Sequence, residues 1–212
     1  MNATDRFTGA LAALPLVAIL RGLQFSEALA IGHALVEEGW RLIEVPLNSP
    51  EPLRSIEALA AALPGTLVGA GTVLTPQQVR DVHAAGGRLI VSPNFDAEVV
   101  RCAVELGMVC LPGVATATEA FAALAAGAHG LKLFPGELIT PAVVRALRAV
   151  LSADTVLLPV GGITPSNMAV YRAAGADGFG LGSALYKPGL SAAEVGANAR
   201  GFIAAWRGLR AA

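Results

Sequence analysis

The side chain with the clearest chemical potential is Lys132, which stands in the apolar segment GLKLFPGEL at residues 130–138. The chain has only one other lysine, Lys187, so Lys132 does not belong to a lysine-rich surface. Burial disfavours the charged ammonium form of a lysine and leaves more of the free amine. That amine is a nucleophile that forms a Schiff base with a ketone or an aldehyde. The segment therefore predicts amine catalysis, with a substrate or with pyridoxal phosphate as the carbonyl partner.

An acidic partner for this lysine stands in the segment LIEVPLN, where Glu44 is flanked by aliphatic residues. Side chains alternate between the two faces of a strand, so Lys132 and Phe134 share one face and the neighbouring leucines share the other. In a barrel the aliphatic faces contact the helices, which turns Lys132 and Glu44 into the interior. Glu44 would then be a general acid and base. The alternative is a purely structural buried salt bridge, which desolvation makes unfavourable compared with apolar packing.

Two glycine-containing strand ends predict a phosphate site. Gly161 and Gly162 follow the seventh apolar run and precede a helix predicted to start at Thr164-Pro165, while Gly182 and Ser183 lie in the eighth run. Barrel enzymes bind phosphate at the loops after strands seven and eight, through backbone N–H groups and a helix N-terminus. Such a site needs few charged side chains.

Three further polar residues end predicted strands and are candidates for contact with substrate: Arg21 after AIL, Thr72 after GAG and Asn94 after SP. An arginine there is suited to bind a carboxylate or phosphate. The histidines His33, His83 and His129 are scattered without a second ligand at matching spacing, so no metal site is predicted.

The elements that must position these residues are eight short apolar runs, which predict parallel strands buried on both faces. They cover residues 16–22, 42–48, 66–73, 88–94, 109–114, 130–135, 156–162 and 178–186. Alanine-rich stretches with helical periodicity lie between them, as at 26–39, 96–107 and 118–127. Helix starts are predicted at Ser26, Thr75, Asp96, Thr140 and Thr164, and helix ends at Gly39, Gly86, Gly107, Gly127 and Gly175.

Eight strand–helix units predict an α/β fold of the (β/α)₈ barrel type, with a short extra N-terminal helix and a single domain over residues 1–212. An open doubly wound sheet would carry a nucleotide-binding loop after its first strand, and the segment ILRGLQFS is not one.

Composition excludes several classes of function. Charged residues make up 15% of the chain, against about 25% in typical proteins, and the net charge is −1. Neither a nucleic-acid interface nor a membrane-binding surface is predicted, because basic runs are absent. No apolar stretch has the length of a transmembrane helix. The two cysteines, Cys102 and Cys110, form no disulfide framework, which favours the cytoplasm.

Several motifs together carry a family resemblance. The segments EVPLNSP, GAGTVL, PGVATATEA, LKLFPGE and VGGITPSN resemble the 2-keto-3-deoxy-6-phospho-sugar-acid aldolases over residues 16–186. The resemblance implies a class I enzyme that needs no metal or cofactor, has a (β/α)₈ fold and forms trimers. Its ligands would be a phosphorylated keto sugar acid and pyruvate, with D-glyceraldehyde 3-phosphate as the other product.

The same resemblance assigns roles to individual residues. It implies that Lys132 forms the Schiff base, that Glu44 transfers protons and that Arg21 and Thr72 bind the pyruvyl end. It places the phosphate at the set Gly161, Gly162, Gly182 and Ser183. Asn94, Phe134 and Val160 complete the expected contacts with substrate.

Two positions bear on which sugar acid is cleaved. Phosphogluconate-type relatives usually carry arginine where this chain has Asn48, and threonine where it has Val160. Both residues match the phosphogalactonate type, which implies cleavage of 2-dehydro-3-deoxy-6-phospho-D-galactonate. The alternatives are an aldolase for 2-dehydro-3-deoxy-6-phosphogluconate or 4-hydroxy-2-oxoglutarate, another phosphate-binding barrel enzyme, and a non-catalytic sugar-phosphate sensor.

Overall fold

The computed structural model describes residues 2–210, in which helices and parallel strands alternate along the chain. The helices of this region are α1 Ala3–Ala13, α2 Phe25–Glu37, α3 Pro52–Ala62, α4 Pro76–Ala84, α5 Ala97–Glu105, α6 Ala117–Ala125, α7 Pro141–Val150, α8 Met168–Ala173 and α9 Ala192–Arg210. Its strands are β1 Leu16–Ile19, β2 Leu42–Pro46, β3 Leu67–Gly71, β4 Leu89–Val91, β5 Val109–Leu111, β6 Gly113–Val114, β7 Leu131–Leu133, β8 Leu157–Pro159 and β9 Phe179–Leu181. The predicted domain over residues 1–212 includes Met1, Ala211 and Ala212, which lie outside the described residues.

The strands follow one another in the cyclic order of a barrel. One parallel sheet has the order β5-β4-β3-β2-β1-β9 and the other has the order β6-β7-β8. The two sheets meet at Pro112, which separates β5 from β6 within the predicted fifth strand, and at a parallel bridge between Val160 and Gly180. Proline has no backbone N–H to donate to a ladder, which explains the break in the fifth strand. The predicted (β/α)₈ barrel and its N-terminal helix are confirmed, with regular pairing interrupted at these two places.

The local start and stop signals are confirmed at most helices. Thr75, Asp96 and Thr140 each accept a hydrogen bond from a backbone N–H in the first turn of the following helix. All five stop glycines have positive φ values, between 66° and 105°.

Two predicted helix starts were wrong. The N-cap of α2 is Gln24 instead of Ser26. In the seventh unit α8 begins at Met168, because residues 164–167 form a turn in which the Asn167 side chain accepts from the Thr164 N–H and donates to the Gly162 carbonyl. The expected helix N-terminus directly after the glycine pair is therefore absent from this part of the described chain.

The interior of the barrel is divided between an apolar end and a polar end. At the N-terminal ends of the strands, Phe7 and Ala10 of α1 pack with inward-facing residues such as Leu42, Leu67 and Val109. Helix α1 thus closes that end of the barrel with apolar contacts. The opposite end holds the polar residues that the sequence singles out.

In residues 2–210, no helix is long and apolar enough to cross a membrane.

Candidate active site

Lys132 and Glu44 both lie in the barrel interior, as strand alternation predicts. Leu131 and Leu133 belong to the core between strands and helices, and so do Ile43 and Val45. The residues between them therefore face inward. Lys132 is 5% exposed and Glu44 is 1% exposed.

A glycine on the neighbouring strand makes room for the Glu44 carboxylate. Gly71 of β3 pairs with Pro46 of β2, and Pro46 lies two residues after Glu44 in β2. A Cβ atom built on Gly71 would lie 1.5 Å from Oε2 of Glu44. Any larger residue at position 71 would displace the carboxylate, so β3 needs a residue without a side chain at this position.

Burial governs the protonation of both groups. Desolvation raises the pKa of Glu44 to about 7, against the lowering effects of the charges on Lys132 and Arg21. Desolvation also lowers the pKa of Lys132, and Arg21 lowers it further, while the Glu44 charge raises it. A carboxyl group with a pKa near neutrality can both donate and accept a proton, and a lysine with a lowered pKa supplies more free amine.

Lys132 and Glu44 do not form a direct ion pair with each other. The salt bridges found within residues 2–210 do not include Lys132 with Glu44. In the same region Oε2 of Glu44 is buried without a hydrogen-bond partner. Nζ of Lys132 lies 4.8 Å from the centre of the Phe134 ring, on the same face of the chain. Glu44 thus keeps one buried carboxylate oxygen without a partner, an arrangement that fits the predicted reactive pair better than the alternative of a structural salt bridge.

Arg21, Thr72 and Asn94 lie in loops just beyond the C-terminal ends of their strands. The sequence predicts that these residues are part of the strand ends, so the observed strands end earlier than predicted. Arg21 is exposed, and its Nη1 donates a hydrogen bond of 2.8 Å to Oδ1 of Asn48. Thr72 has a φ of 57°, a left-handed conformation that is rare for a β-branched residue and clusters at functional sites. Asn94 is exposed and donates only a long hydrogen bond, of 3.4 Å, to the carbonyl of Phe95.

A cavity of about 290 Å³ lies at the same end of the barrel, at the ends of β1, β8 and β9. Six of the residues singled out in the sequence line it: Arg21, Val160, Gly161, Gly162, Gly182 and Ser183. Lys132, Glu44, Thr72, Asn94 and Phe134 do not line this cavity. Arg21 links the two groups, because it lines the cavity and its charge acts on both Lys132 and Glu44.

Known proteins share this fold and much of this sequence. The model of the family described as "KDPG and KHG aldolase" matches residues 8–199. The chain belongs to the KDPG and KHG aldolase family. It is 52% identical, over 91% of each chain, to a probable 2-dehydro-3-deoxy-6-phosphogalactonate aldolase of Rhizobium meliloti (strain 1021). It is 48% identical to the 2-dehydro-3-deoxy-6-phosphogalactonate aldolase of Escherichia coli (strain K12), over 92% of this chain and 95% of that one. A solved structure described as native KDPGal superposes with a TM-score of 0.92 at 47% identity, covering 94% of this chain and 97% of that chain.

Family membership decides between the broad alternatives. The chain is an enzyme and a class I aldolase, that is, a carbon–carbon lyase. A non-catalytic sensor and a barrel enzyme of another reaction class are not favoured. Within residues 2–210, no group of three or more His, Cys, Asp or Glu residues could hold a metal ion.

Sequence reasoning missed several residues that line the cavity, among them Ile19, Tyr186 and Lys187. Ile19 looked like one more apolar strand residue, and nothing in its neighbourhood distinguishes it. Lys187 carried a signal, because it is one of only two lysines and directly follows the predicted eighth strand. The hydroxyl of Tyr186 donates a hydrogen bond to the Glu27 carboxylate, a contact between segments 159 residues apart that no local pattern indicates.

The opposing charges of Glu44 and Arg21 near Lys132 can be tested with two variants that should shift the pKa of Lys132 in opposite directions. Glu44→Gln removes the charge that raises the pKa of Lys132, so that pKa should fall. Arg21→Gln removes a charge that lowers it, so the pKa should rise. Reductive ¹³C-methylation with an NMR titration measures both lysines at once, and Lys187→Arg assigns the two signals. Shifts of the same sign in the two variants would contradict this electrostatic arrangement.

Proposed function

We propose that the enzyme cleaves 2-dehydro-3-deoxy-6-phosphogalactonate to pyruvate and D-glyceraldehyde 3-phosphate through a Schiff base on Lys132. The observation that carries the proposal is the pair of inward-facing groups in the barrel, a lysine with a lowered pKa and a carboxyl group whose pKa is raised to about 7. The similarity to phosphogalactonate aldolases over more than nine-tenths of the chain supports the choice of substrate.

The first steps form the iminium. The free amine of Lys132 attacks the C2 ketone and gives a carbinolamine, which loses water when Glu44 protonates the leaving hydroxyl group. The product is a cation held in a mostly apolar interior. A nearby cation lowers the pKa of a carboxyl group, so Glu44 becomes a carboxylate and thus a general base once the iminium has formed.

The next steps break and repair the carbon skeleton. Glu44 removes the proton of the C4 hydroxyl group, directly or through a water molecule, and the C4 carbonyl forms as the C3–C4 bond breaks. The electron pair of that bond moves to C3 and is delocalised onto the iminium nitrogen as an enamine. Protonation at C3 and hydrolysis of the imine then release pyruvate and restore the amine.

The remaining residues are proposed to hold the two ends of the substrate. Arg21 and Thr72 would bind the carboxylate next to C2. This assignment is supported by the electrostatic effect of Arg21 on both catalytic groups and by the left-handed backbone at Thr72. Phe134 and Asn94 would contact the carbon chain near the amine. Phe134 has the better support, since its ring lies beside Nζ of Lys132.

The phosphate would lie in the cavity, against the loops that contain Gly161, Gly162, Gly182 and Ser183. Gly161 and Gly162 have φ values of 112° and 64°, which a residue with a side chain rarely adopts. With α8 starting only at Met168, binding here would rest on loop backbone N–H groups rather than on a helix dipole.

Covalent trapping tests the proposed intermediate. Sodium borohydride added with pyruvate should inactivate the enzyme and leave one reduced pyruvyl group on Lys132, identified by peptide mass spectrometry. Lys187→Arg should be trapped to the same extent, while Lys132→Arg should not be trapped. Inactivation without a covalent adduct, or an adduct only on Lys187, would rule out this mechanism.

Val160 provides a test of the substrate. It lies in the cavity, next to the glycine pair, and threonine would replace one of its methyl groups with a hydroxyl group. A discrimination worth about 1–3 kcal/mol corresponds to a roughly 5- to 150-fold ratio of kcat/KM. The wild type should favour the phosphogalactonate epimer over the phosphogluconate epimer, and Val160→Thr should reduce that preference. Equal kcat/KM values for both epimers in the wild type would remove the proposed specificity.

We also propose that the enzyme forms a homotrimer. Support comes from the family resemblance and from exposed apolar side chains such as Phe121 and Leu138, which are 51% and 68% exposed in the single chain. Light scattering should give three times the chain mass of 21.5 kDa. A monomer at micromolar concentration would contradict the proposal. The cytoplasmic location stays a prediction.

A further inference from the structure

The cavity at the ends of β1, β8 and β9 is bordered by two cationic residues, Arg21 and Lys187. The charge of Arg21 acts on Lys132 and Glu44, so Arg21 belongs to the end of the site where the amine reacts. The charge of Lys187 is not among the causes of either shift. Arg21 follows β1, whereas Lys187 follows β9 and the loop with Gly182 and Ser183, so Lys187 lies on the side of the cavity proposed for the phosphate.

The proposed substrate has two anionic groups at opposite ends, a carboxylate next to the reacting carbonyl and a phosphate on the last carbon. If Arg21 binds the carboxylate, the loops around Gly161 and Gly182 provide only neutral N–H groups and a hydroxyl group for a doubly charged phosphate. We propose that Lys187 supplies the positive charge for that phosphate and thereby restricts the enzyme to phosphorylated substrates. This proposal rests on the proposed aldolase function and assigns a residue that its mechanism does not use.

The glycine pair also has an acidic neighbour, Glu137. A Cβ atom built on Gly161 would lie 3.2 Å from Oε2 of Glu137, so that carboxylate is directly beside the glycine pair. Like charges repel, and an uncompensated carboxylate next to these loops would disfavour a phosphate dianion there. Lys187 has no salt-bridge partner among residues 2–210, which leaves its charge available to offset Glu137 and to attract the ligand.

The segment that carries Lys187 is held in place on both sides. The preceding residue, Tyr186, is buried and donates a hydrogen bond from its hydroxyl group to the Glu27 carboxylate on α2. The following residue, Pro188, packs against the β1–α2 loop, where its Cγ lies 2.7 Å from the position of a Cβ on Gly22. Anchored neighbours reduce the conformational entropy that Lys187 would lose when it binds a phosphate.

Removing the charge at position 187 should weaken the binding only of ligands that carry a phosphate group. Lys187→Met should lower kcat/KM for the phosphorylated sugar acid by about tenfold to a hundredfold, mainly through KM, since a charged hydrogen bond is lost. It should leave borohydride trapping with pyruvate unchanged. It should also leave unchanged the slow cleavage of the same sugar acid without its phosphate. Lys187→Arg should restore most of the loss, and Arg6→Met should have no effect, because it removes a charge from α1 at the other end of the barrel.

Titration of the whole protein with inorganic phosphate separates this proposal from the proposed reaction. Weaker phosphate binding by Lys187→Met than by the wild type, in a protein without aldolase activity, would sustain the role of Lys187 and reject the proposed function. An active enzyme in which Lys187→Met has the same KM as the wild type would reject the role of Lys187 alone. Equal losses on phosphorylated and unphosphorylated substrates would also reject it, because they would indicate damage to the site as a whole.

Discussion

Lys132 and Glu44 are removed from water at the centre of one barrel, and this shared desolvation is the constraint on which the surrounding structure depends. Burial disfavours the charged form of each group, while their mutual attraction favours it. The balance gives a carboxyl group that titrates near neutrality and an amine that loses its proton more readily than an exposed lysine. Neither property would survive if water filled the lumen.

Ordinary apolar packing keeps these two groups away from bulk solvent. Helix α1 covers the N-terminal end of the barrel, where Phe7 contacts inward-facing aliphatic residues. Above that layer, Gly71 leaves the space that the Glu44 carboxylate occupies. The apolar end and the polar end are therefore two parts of one arrangement, since the first excludes solvent from the groups of the second.

The charges at the open end of the barrel suit the proposed substrate, which has an anionic group at each end. Arg21 tunes the reacting pair and is itself oriented by Asn48, while the glycine loops of β8 and β9 line the cavity with backbone groups. In the proposed function, the two cations that line the cavity, Arg21 and Lys187, would allow an enzyme with a net charge of −1 to hold a trianionic ligand.

Much of this arrangement could be predicted from the chain itself, because the decisive signals are local. The alternation of Lys132 with aliphatic neighbours turned it inward, and the repeat of apolar runs and helix signals predicted eight units. The errors were also local in origin. Thr164-Pro165 has the composition of a helix start but forms a turn, in which the Asn167 side chain accepts a hydrogen bond from the Thr164 N–H and donates one to the Gly162 carbonyl.

The sequence by itself determined the fold class, the inward direction of Lys132 and Glu44, and the glycines that end the seventh and eighth strands. These follow from strand alternation and from backbone preferences, which act over a few residues. Only the tertiary structure decided the space at Gly71, the contact of Tyr186 with Glu27 and the position of Lys187 on the cavity wall. Those features join segments that are far apart in the chain. A local sequence pattern does not indicate which distant side chains come into contact when the barrel closes.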